Sequence, residues 1–583
     1  MKTALGRNIL LKRLAAYFHN YRRELAGSVL CVAMEAVFEL VIPILMADII
    51  DIGIPNRDKS YVLEKGAAMA GCALVALALG VLYAHLSARA GQGFGAELRK
   101  AEYRKLQGFS FSNMDHFSVP SLITRLTNDI TILQHAACAG LRPMVRGPVM
   151  MVMALAMSIT MSPQLALVFL VAMPVLAACL VLILRKLGPM YAGMQKALDE
   201  VNAIVEENLR AIRTVKAYVK GDSEYQKFSE GNEAYRQTAE RSFHYAVLNL
   251  PCFQAVMYAT ILCILWLGGN YIHQGTMKVG VLTGFLSYVL QILNSLMMIS
   301  NVFLLLSRSI TSAQRIFEVL DESAAIQDGP GSYTVHHGEI DFEDVSFKYQ
   351  ENAEEYVLSH ISLHFGAGQT IGIIGGTGSA KSSLVQLIPR LYDVSGGALK
   401  IDGHNVREYS LVHLRDAVGM VLQNNNLFSG TIRENLKWGD ENATDADLDW
   451  ACRIACADEF LSRMPEGYDT DLGQGGVNVS GGQKQRLCIA RAILKQPCVL
   501  IFDDSTSAVD TATEARIRHR LASELKDTTK IFITQRIRSI ADADQIVVLD
   551  NGTIHAVGTH DELMKGSEIY RDIYEFQQKG VLE

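Results

Sequence analysis

Six apolar runs in the first 306 residues constrain the fold of this chain more than any other feature. A helix needs about 20 apolar residues to cross the hydrocarbon core of a bilayer. The runs that reach this length cover residues 25–54, 66–86, 141–161, 164–187, 247–273 and 281–306. We therefore predict an α-helical bundle of six membrane spans over residues 25–320, with both chain termini on one side of the bilayer.

Positive charges in the connections between the runs indicate the orientation. The connections after the second and fourth runs are long and basic, with Arg99 and Arg104 in one and Arg213 and Lys216 in the other. Because arginine and lysine mark cytoplasmic loops, we expect both connections and both termini in the cytoplasm. Their heptad-like texture predicts helices that continue past the membrane. Residues 1–24 place an apolar face beside several cations, which is typical of an interfacial elbow helix.

The distribution of charge divides the chain into two parts. Charged residues are sparse in several segments before residue 310 and common afterwards. Since 583 residues exceed a single core, we predict a linker over residues 321–337 and a soluble domain over residues 338–583. A formal charge of -7 and the lack of a basic, aromatic stripe give no reason to invoke a nucleic-acid partner. Ten cysteines without CxxC pairs indicate apolar packing, not a disulfide framework or a zinc site.

The stretch IGIIGGTGSAKSSL, residues 371–384, has the form of a strand, a phosphate-binding loop and a helix. Gly375, Lys381 and Ser382 fall in register with the P-loop pattern, while Ala380 occupies the place of its second glycine. We expect φ below zero at Ala380, where alanine costs little. The alternative is a glycine-rich αβ turn with a surface lysine. The candidate phosphate-binding residues are Gly375, Gly376, Thr377, Gly378, Ser379, Ala380, Lys381, Ser382 and Ser383.

The P-loop pattern assigns chemistry to two side chains. Lys381 is expected to reach the β- and γ-phosphates, and Ser382 to offer its hydroxyl to Mg²⁺. Backbone amides of the loop are expected to hold the anion.

Further polar residues follow apolar strands on both sides of this loop. Gln423 comes after a buried-looking strand, the run CVLIFDD ends in Asp503 and Asp504, and IFITQR places Gln535 after another strand. A carboxylate at the end of such a strand is expected to hold Mg²⁺ opposite a P-loop. The alternating segment GEIDFEDVSFKY predicts an edge strand that ends on Tyr349. That ring is placed either to stack on a base or to pack on its own sheet.

Taken in order, these motifs make the chain similar, over nearly its whole length, to exporter-type ABC transporters, in which one membrane domain is fused to one nucleotide-binding domain. The resemblance implies an α-helical six-span bundle followed by an α/β P-loop NTPase domain with a helical subdomain. It also implies ATP and Mg²⁺ as ligands, and a dimer in which each ATP lies between the P-loop of one chain and the signature motif of the other. The residues it assigns are Tyr349 for adenine stacking, Gln423 for the Q-loop and Mg²⁺, Asp503 for Walker B and Mg²⁺, Asp510 for the D-loop, and Ser480, Gly481, Gly482 and Gln483 for the signature.

Three positions depart from the family pattern. Asp504 stands where the catalytic glutamate is usual, Gln535 replaces the switch histidine, and Ala380 replaces a P-loop glycine. Because a general base must reach the proton it removes, one lost methylene predicts a Walker site that binds ATP and hydrolyses it slowly. The signature motif is intact. We therefore expect a heterodimer with a second half-transporter that supplies a complete Walker site; a weakly active homodimer is the alternative.

The expected function is ATP-driven export of an amphipathic solute across the cell membrane, with the nucleotide-binding domain in the cytoplasm. The alternatives are an importer on the same fold and an ATP-gated channel or sensor. The sequence does not decide whether the solute is a small molecule, a lipid or a peptide. Glu35 and Glu39 lie four residues apart in the first span and are candidates for contact with a cationic solute or, alternatively, a structural pair inside the bundle. Residues 114–119 and 221–225 resemble the coupling segments of the family.

Overall fold

The computed structural model describes residues 10, 12–331, 333–505 and 509–579. It divides into two compact units, one formed by Met1–Gln107 with Val119–Glu322 and the other by Gly108–Ser118 with Ser323–Glu583. The boundaries predicted for the elbow helix, the membrane domain, the linker and the soluble domain stay predictions. Parts of three of them, residues 1–9 and 11, residue 332, and residues 506–508 and 580–583, lie outside the described residues.

The first unit is built from long helices. In chain order the helices of this half are α1 (Arg22–Asp48), α2 (Lys59–Gln107), α3 (Phe111–His116, in the second unit), α4 (Val119–Thr124), α5 (Ile130–Cys138), α6 (Leu141–Met161), α7 (Pro163–Arg210), α8 (Ile212–Ala217), α9 (Gly221–Val247), α10 (Asn249–His273) and α11 (Val279–Asp321). Short π-helical segments, Ile49–Gly53 and Arg125–Asp129, follow α1 and α4.

The number of membrane spans agrees with the prediction. Within the described residues, six helical segments are long and apolar enough to cross a membrane: His19–Gly53, Lys59–Gln107, Val119–Met161, Pro163–Arg210, Gly221–His273 and Val279–Ile299. The third and fourth are separated by Ser162 alone, whose hydroxyl accepts a hydrogen bond from Leu165 N at 3.4 Å and caps α7. A serine cap followed by proline at the first helical position starts a helix abruptly, which explains this short connection.

The helices continue past the membrane, as the heptad-like texture predicted. Helix α2 ends at Gln107, 21 residues beyond the predicted end of its span at residue 86, and at 1.5 Å per residue this is about 32 Å. Helix α7 reaches Arg210 in the same way, 23 residues beyond residue 187. Both extensions belong to the connections that are predicted to lie in the cytoplasm.

A buried carboxylate lies in the extension of α2. Glu102 is fully buried, and neither of its carboxylate oxygens has a hydrogen-bond partner among the described residues. Burial raises the pKa of Glu102 to about 7; the nearby Arg125 opposes this shift and Asp129 adds to it. Asp129 accepts a hydrogen bond from Ser312 Oγ at 2.9 Å and pairs with Arg315. Glu102 is therefore an acid that the folded protein favours in its neutral form.

The second unit contains two sheets and a set of short helices. Its strands are β1 (Ile340–Phe347), β2 (Leu358–Phe365), β3 (Thr370–Ile374), β4 (Gly396–Ile401), β5 (His404–Asn405), β6 (Val418–Val421), β7 (Val499–Asp503), β8 (Thr529–Ile533), β9 (Gln545–Asp550) and β10 (Thr553–Gly558). Its helices are α12 (Lys381–Gln386), α13 (Leu411–Ala417), α14 (Ile432–Leu436), α15 (Asp445–Ile454), α16 (Asp458–Leu461), α17 (Gly481–Leu494), α18 (Thr511–Glu524), α19 (His560–Gly566) and α20 (Glu568–Lys579).

The strand order explains which loops meet. One sheet has the order β2-β1-β4-β5 and is antiparallel, and the other has the order β10-β9-β3-β8-β7-β6. In the second sheet β3, β8, β7 and β6 are neighbours and run parallel. The carboxyl ends of these strands therefore lie along one edge, where open α/β sheets bind their ligands.

The edge position predicted for the strand before Tyr349 is wrong. Strand β1 lies between β2 and β4 and pairs with both. Its first four residues alternate between apolar and polar because one face of the strand packs on the core, a pattern that a central antiparallel strand shares with an edge strand.

Two apolar cores hold the second unit together. One is built mainly from the strands of both sheets and includes Phe342, Phe365 and Ile373. The other includes Phe502 of β7 and Leu487 of α17, and so joins the parallel strands to the helical part of the unit. The strands that carry the candidate site residues are thus fixed by packing on both faces.

Candidate functional site

A cleft of about 340 Å³ lies at the carboxyl edge of the parallel strands. The P-loop follows β3, Gln423 follows β6, Asp503 and Asp504 stand at the end of β7, and Gln535 follows β8. Of the predicted site residues, those that line the cleft are Thr377, Gly378, Ala380, Lys381, Ser382, Ser383, Gln423, Asp503, Asp504 and Gln535. Residues more than 150 positions apart in the sequence therefore meet in one place, although their individual roles remain predictions.

The backbone at Ala380 differs from the expectation. Its φ is +68° and its ψ +25°, which is left-handed, whereas we expected φ below zero. Gly378 also has a positive φ, +83°. Left-handed residues between right-handed ones turn successive N–H groups toward one point and form an anion-binding nest. The shape of the loop therefore imposes the conformation on Ala380, at a steric cost that glycine avoids.

Lys381 lies against the loop that precedes it. Its Nζ donates to the carbonyl oxygens of Gly375 at 2.9 Å and Gly376 at 2.7 Å, and to Ser379 Oγ at 3.1 Å. Burial lowers the pKa of Lys381, and the carboxylates of Asp504 and Asp503 oppose that shift. The ammonium group is thus held at the mouth of the nest, where it adds positive charge for a phosphate.

Hard oxygen ligands lie beside the lysine. Ser382 Oγ donates to Asp503 Oδ1 at 2.7 Å, and the amide of Gln423 lines the same cleft. Burial raises the pKa of Asp503, and the hydrogen bond from Ser382 opposes the shift. A hydroxyl, a carboxylate and an amide oxygen form a donor set that fits Mg²⁺, which binds few protein oxygens and relies on phosphates and water for the rest.

The two departures from the expected catalytic residues both face this cleft. Asp504 has a φ of +45°, and its N–H donates to Ile533 O at 3.1 Å, which fixes the backbone between β7 and β8. Burial raises the pKa of Asp504, while Lys381 and Arg536 oppose that shift. Gln535 is exposed at the mouth of the cleft. Neither position carries a glutamate or an imidazole.

Tyr349 lies next to the P-loop helix but does not line the cleft, as far as the described residues show. Its hydroxyl is 2.8 Å from Ser383 Oγ, and its ring packs edge-on against Phe347 and Tyr392 at centroid distances of 4.9 and 5.1 Å. Tyr349 as a whole is 43% exposed. Tyr349 therefore packs on its own sheet and still has an exposed part that a base could contact.

The predicted signature residues start a helix and are not among the residues that line this cleft. Ser480 caps α17: its Oγ accepts from Gln483 N at 3.3 Å, and Gln483 Oε1 accepts from Ser480 N at 2.8 Å. Ser480 and Gly481 are exposed, and Gly482 is half-buried. This reciprocal cap orders the helix start and leaves it on the surface. Asp510 caps α18 by accepting from Thr513 N at 2.9 Å, a bond that lowers the pKa of Asp510.

Contacts that the sequence analysis missed hold most of the first predicted coupling segment within the second unit. Gly108–Ser118, which contains α3, belongs to that unit although it comes from the first half of the chain. Asp115 Oδ2 accepts from Tyr392 OH at 2.7 Å, and Phe111 packs edge-on against the Tyr392 ring. Tyr392 in turn contacts Tyr349. No spacing in the sequence signals a pair 277 residues apart.

The two intramembrane glutamates are paired within the first unit. Arg142 and Arg146 of α6 both bond Glu35, the latter at 2.9 Å, and Arg146 also bonds Glu39. Glu35 is 3% exposed. We call these four residues the charge cluster; it is neutral overall, so a free negative charge for a cationic solute is not what the structure presents. The sequence analysis missed the arginines, although their spacing of four matches that of the glutamates.

Comparison with known proteins gives matches over nearly the whole chain. Residues 25–296 match the model of the ABC transporter transmembrane region, and residues 358–507 match the ABC transporter model. An uncharacterized ABC transporter ATP-binding protein of Bacillus subtilis, YfiB, is 39% identical over 95% of this chain and 96% of its own length. The chain belongs to the ABC transporter family. Its six apolar helical segments, counted within the described residues, make it a multi-pass membrane protein with a cytoplasmic nucleotide-binding domain.

Other relatives agree with this assignment. A putative multidrug export ATP-binding/permease protein of Bacillus subtilis, YgaD, is 30% identical to this ABC transporter over 97% of the chain and 99% of its own length. The solved structure of a bacterial Atm1-family ABC exporter with ATP bound shares the fold, with a TM-score of 0.83, 24% identity, and coverage of 95% of this chain and 99% of that one. The ABC domain binds ATP, and the fold is of the exporter type.

Proposed function

We propose that this ABC transporter is one half of a heterodimeric exporter, whose own Walker site holds ATP and hydrolyses it slowly. The observation that carries the proposal is the pair Asp504 and Gln535 at the ATP cleft. The capped signature helix that begins after Ser480 adds support, because the motif is complete and its residues are not among those that line that cleft. A chain with a complete signature motif and a Walker site that lacks the usual catalytic residues is suited to a partner whose Walker site is complete.

ATP is held by groups that do not depend on the two departures. The nest amides and Lys381 bind the phosphates, and Ser382, Asp503 and Gln423 are placed to hold Mg²⁺. Mg²⁺ would neutralise charge on the β- and γ-phosphates. Binding therefore needs no residue at which this chain departs from the family, apart from Ala380, whose backbone has the shape that the nest requires.

Hydrolysis is where the departures act. An aspartate carboxylate stands one C–C bond, about 1.5 Å, short of the position that a glutamate reaches. Displacement of a catalytic group by about 1 Å is enough to cost roughly a hundredfold in rate. Gln535 can still donate a hydrogen bond to the terminal phosphate through its side-chain amide. The expected result is a site that keeps ATP and turns it over slowly.

The partner's ATP is where this chain contributes to turnover. The exposed start of α17 is placed to meet the γ-phosphate bound by a second half-transporter. ATP binding would then close the two nucleotide-binding domains, and hydrolysis at the partner's Walker site would reopen them. The bond between Asp115 and Tyr392 supports the first cytoplasmic loop as a coupling segment; residues 221–225, the start of α9, are proposed as the second.

The solute is proposed to be amphipathic. A cleft of about 540 Å³ beside the charge cluster combines carboxylate and guanidinium groups with apolar walls from α1 and α2, including Ile42, Leu77 and Val81. Since the cluster is neutral, the proposal favours a solute with an apolar body and a polar head over a simple cation.

The test uses the complex isolated from its native host by an affinity tag on this chain. Asp504→Asn should leave the ATPase rate of that complex nearly unchanged, because the partner's site carries turnover. Ser480→Arg should abolish most of the rate, since it blocks the signature that completes the partner's site. The proposal is wrong if Asp504→Asn stops turnover, or if the tagged chain is isolated only as a homodimer with full activity.

A further inference from the structure

One side-chain amide outside the recognised motifs binds the backbone of residues 535–537, which we call the switch segment. Gln577 Nε2, on α20, donates to Gln535 O at 2.6 Å, and Gln577 Oε1 accepts from Ile537 N at 3.0 Å. The side chain thus pairs with the carbonyl of one residue and the N–H of the second residue after it. Turning the amide over would set donor against donor and acceptor against acceptor, so the network fixes its orientation.

The helix that carries this glutamine is firmly anchored. Tyr570 of α20 is fully buried, and its hydroxyl is 2.8 Å from Nδ1 of His560. Ile573 and Tyr574 pack against the larger apolar core of the unit. A side chain on a packed helix is held in place better than one on a loop, which is what a positioning group needs.

An ion pair also holds the switch segment. Arg536 Nη1 lies 3.6 Å from Glu514 Oε2 on α18, and Glu514 is 3% exposed. The segment is therefore fixed by the amide on α20 and by a partly buried ion pair on α18. The side chain of Gln535 lines the cleft.

We propose that Gln577 is a positioning residue of the nucleotide site: it holds the backbone at residues 535–537 so that the Gln535 side chain faces the terminal phosphate of ATP. This inference rests on the proposed function, which gives Gln535 the switch position. A glutamine has one more side-chain torsion than a histidine and loses more freedom when it binds. A fixed backbone therefore matters more here than it would for an imidazole. Helix α20 thereby helps the nucleotide site to distinguish ATP from ADP.

The test compares a triphosphate with a diphosphate on the full-length chain in lipid nanodiscs with Mg²⁺. The probes are ADP and the β,γ-imido analogue of ATP, which is not hydrolysed. Gln577→Ala should lower the affinity for the analogue roughly three- to tenfold, which corresponds to the loss of one or two neutral hydrogen bonds, and should leave the affinity for ADP unchanged. Gln578→Ala is the matched control, since Gln578 Oε1 accepts from the Arg538 side chain at 3.1 Å and should change neither affinity. Equal weakening of both nucleotides by Gln577→Ala would overturn the inference, because a structural role alone predicts it.

Two further variants separate positioning from folding. Gln577→Glu keeps the acceptor for Ile537 N and removes the donor to Gln535 O, so it should also weaken the analogue selectively; affinity equal to wild type would overturn the inference. In a Gln535→Ala background, Gln577→Ala should add no further loss, because it acts through the residue already removed. Additive losses would show that Gln577 acts by another route. Slow or fast turnover of ATP, which decides the proposed function, does not affect these affinities.

Discussion

Replacing Ala380 by glycine should stabilise the protein, against the usual effect of glycine. An L-residue in the left-handed region costs about 1–2 kcal/mol, and Ala380 lies there with φ +68°. Glycine removes that cost, but its more flexible unfolded chain takes back about 0.4–1 kcal/mol. The Ala380 methyl group packs only partly against the core, so its loss costs about 0.4 kcal/mol, half of a buried methylene. The net gain is about 0.5 kcal/mol.

The assay is thermal unfolding of the full-length chain, followed by tryptophan fluorescence. Trp438 and Trp450, two of the three tryptophans, belong to the nucleotide-binding unit. Ala380→Gly should raise the midpoint by roughly 1–2 °C, and Ala380→Val should lower it, because a β-branched side chain is a severe misfit at positive φ. Ala515→Gly is the matched control: Ala515 is exposed inside α18, where glycine should cost about 1 kcal/mol. If Ala380→Gly destabilises as much as Ala515→Gly, the left-handed assignment is wrong.

Three further predictions concern other parts of the molecule. Arg146→Met should destabilise the membrane unit by about 3–5 kcal/mol, because it removes one partner from each glutamate of the charge cluster. Arg142→Met should destabilise it less, and equal thermal unfolding midpoints for the two variants would contradict this prediction. Burial raises the pKa of Glu102 to about 7, so its protonated form favours the folded state and the stability of the protein should fall as the pH rises from about 4.5 to 7. Glu102→Gln should flatten that pH dependence and raise the midpoint of thermal unfolding at pH 8. A lower midpoint for this variant at pH 8 would refute the prediction. Tyr392→Phe removes the hydrogen bond to Asp115 and keeps the ring, so it should reduce solute-stimulated ATPase of the native complex while ATP affinity stays unchanged; unaltered stimulation would rule out the coupling role.

Much of the nucleotide site follows from local pattern. An apolar run that ends in a polar residue marks the carboxyl end of a buried strand, and Gln423, Asp503 and Gln535 each occupy such a position. Because β3, β8, β7 and β6 run parallel and side by side, those ends meet in one cleft. The six spans could also be predicted from the sequence, because the length and apolarity of a segment are enough to identify a membrane span.

Features that depend on tertiary context could not be predicted in this way. At Ala380 the residue type argued for negative φ, but the shape of the anion nest overrides that preference. The pairing of Asp115 with Tyr392 joins distant segments that carry no shared pattern. The charge cluster is intermediate: equal spacing on α1 and α6 hinted at it, and only the packing of those helices showed that Arg146 reaches both carboxylates.

The steady-state ATPase rate of this chain, purified without any partner and reconstituted in liposomes, tests the central claim most directly when wild type is compared with Asp504→Asn. The account predicts a slow rate that the substitution leaves nearly unchanged, with ATP still bound by both proteins. A brisk rate in the wild-type chain that Asp504→Asn abolishes would contradict it.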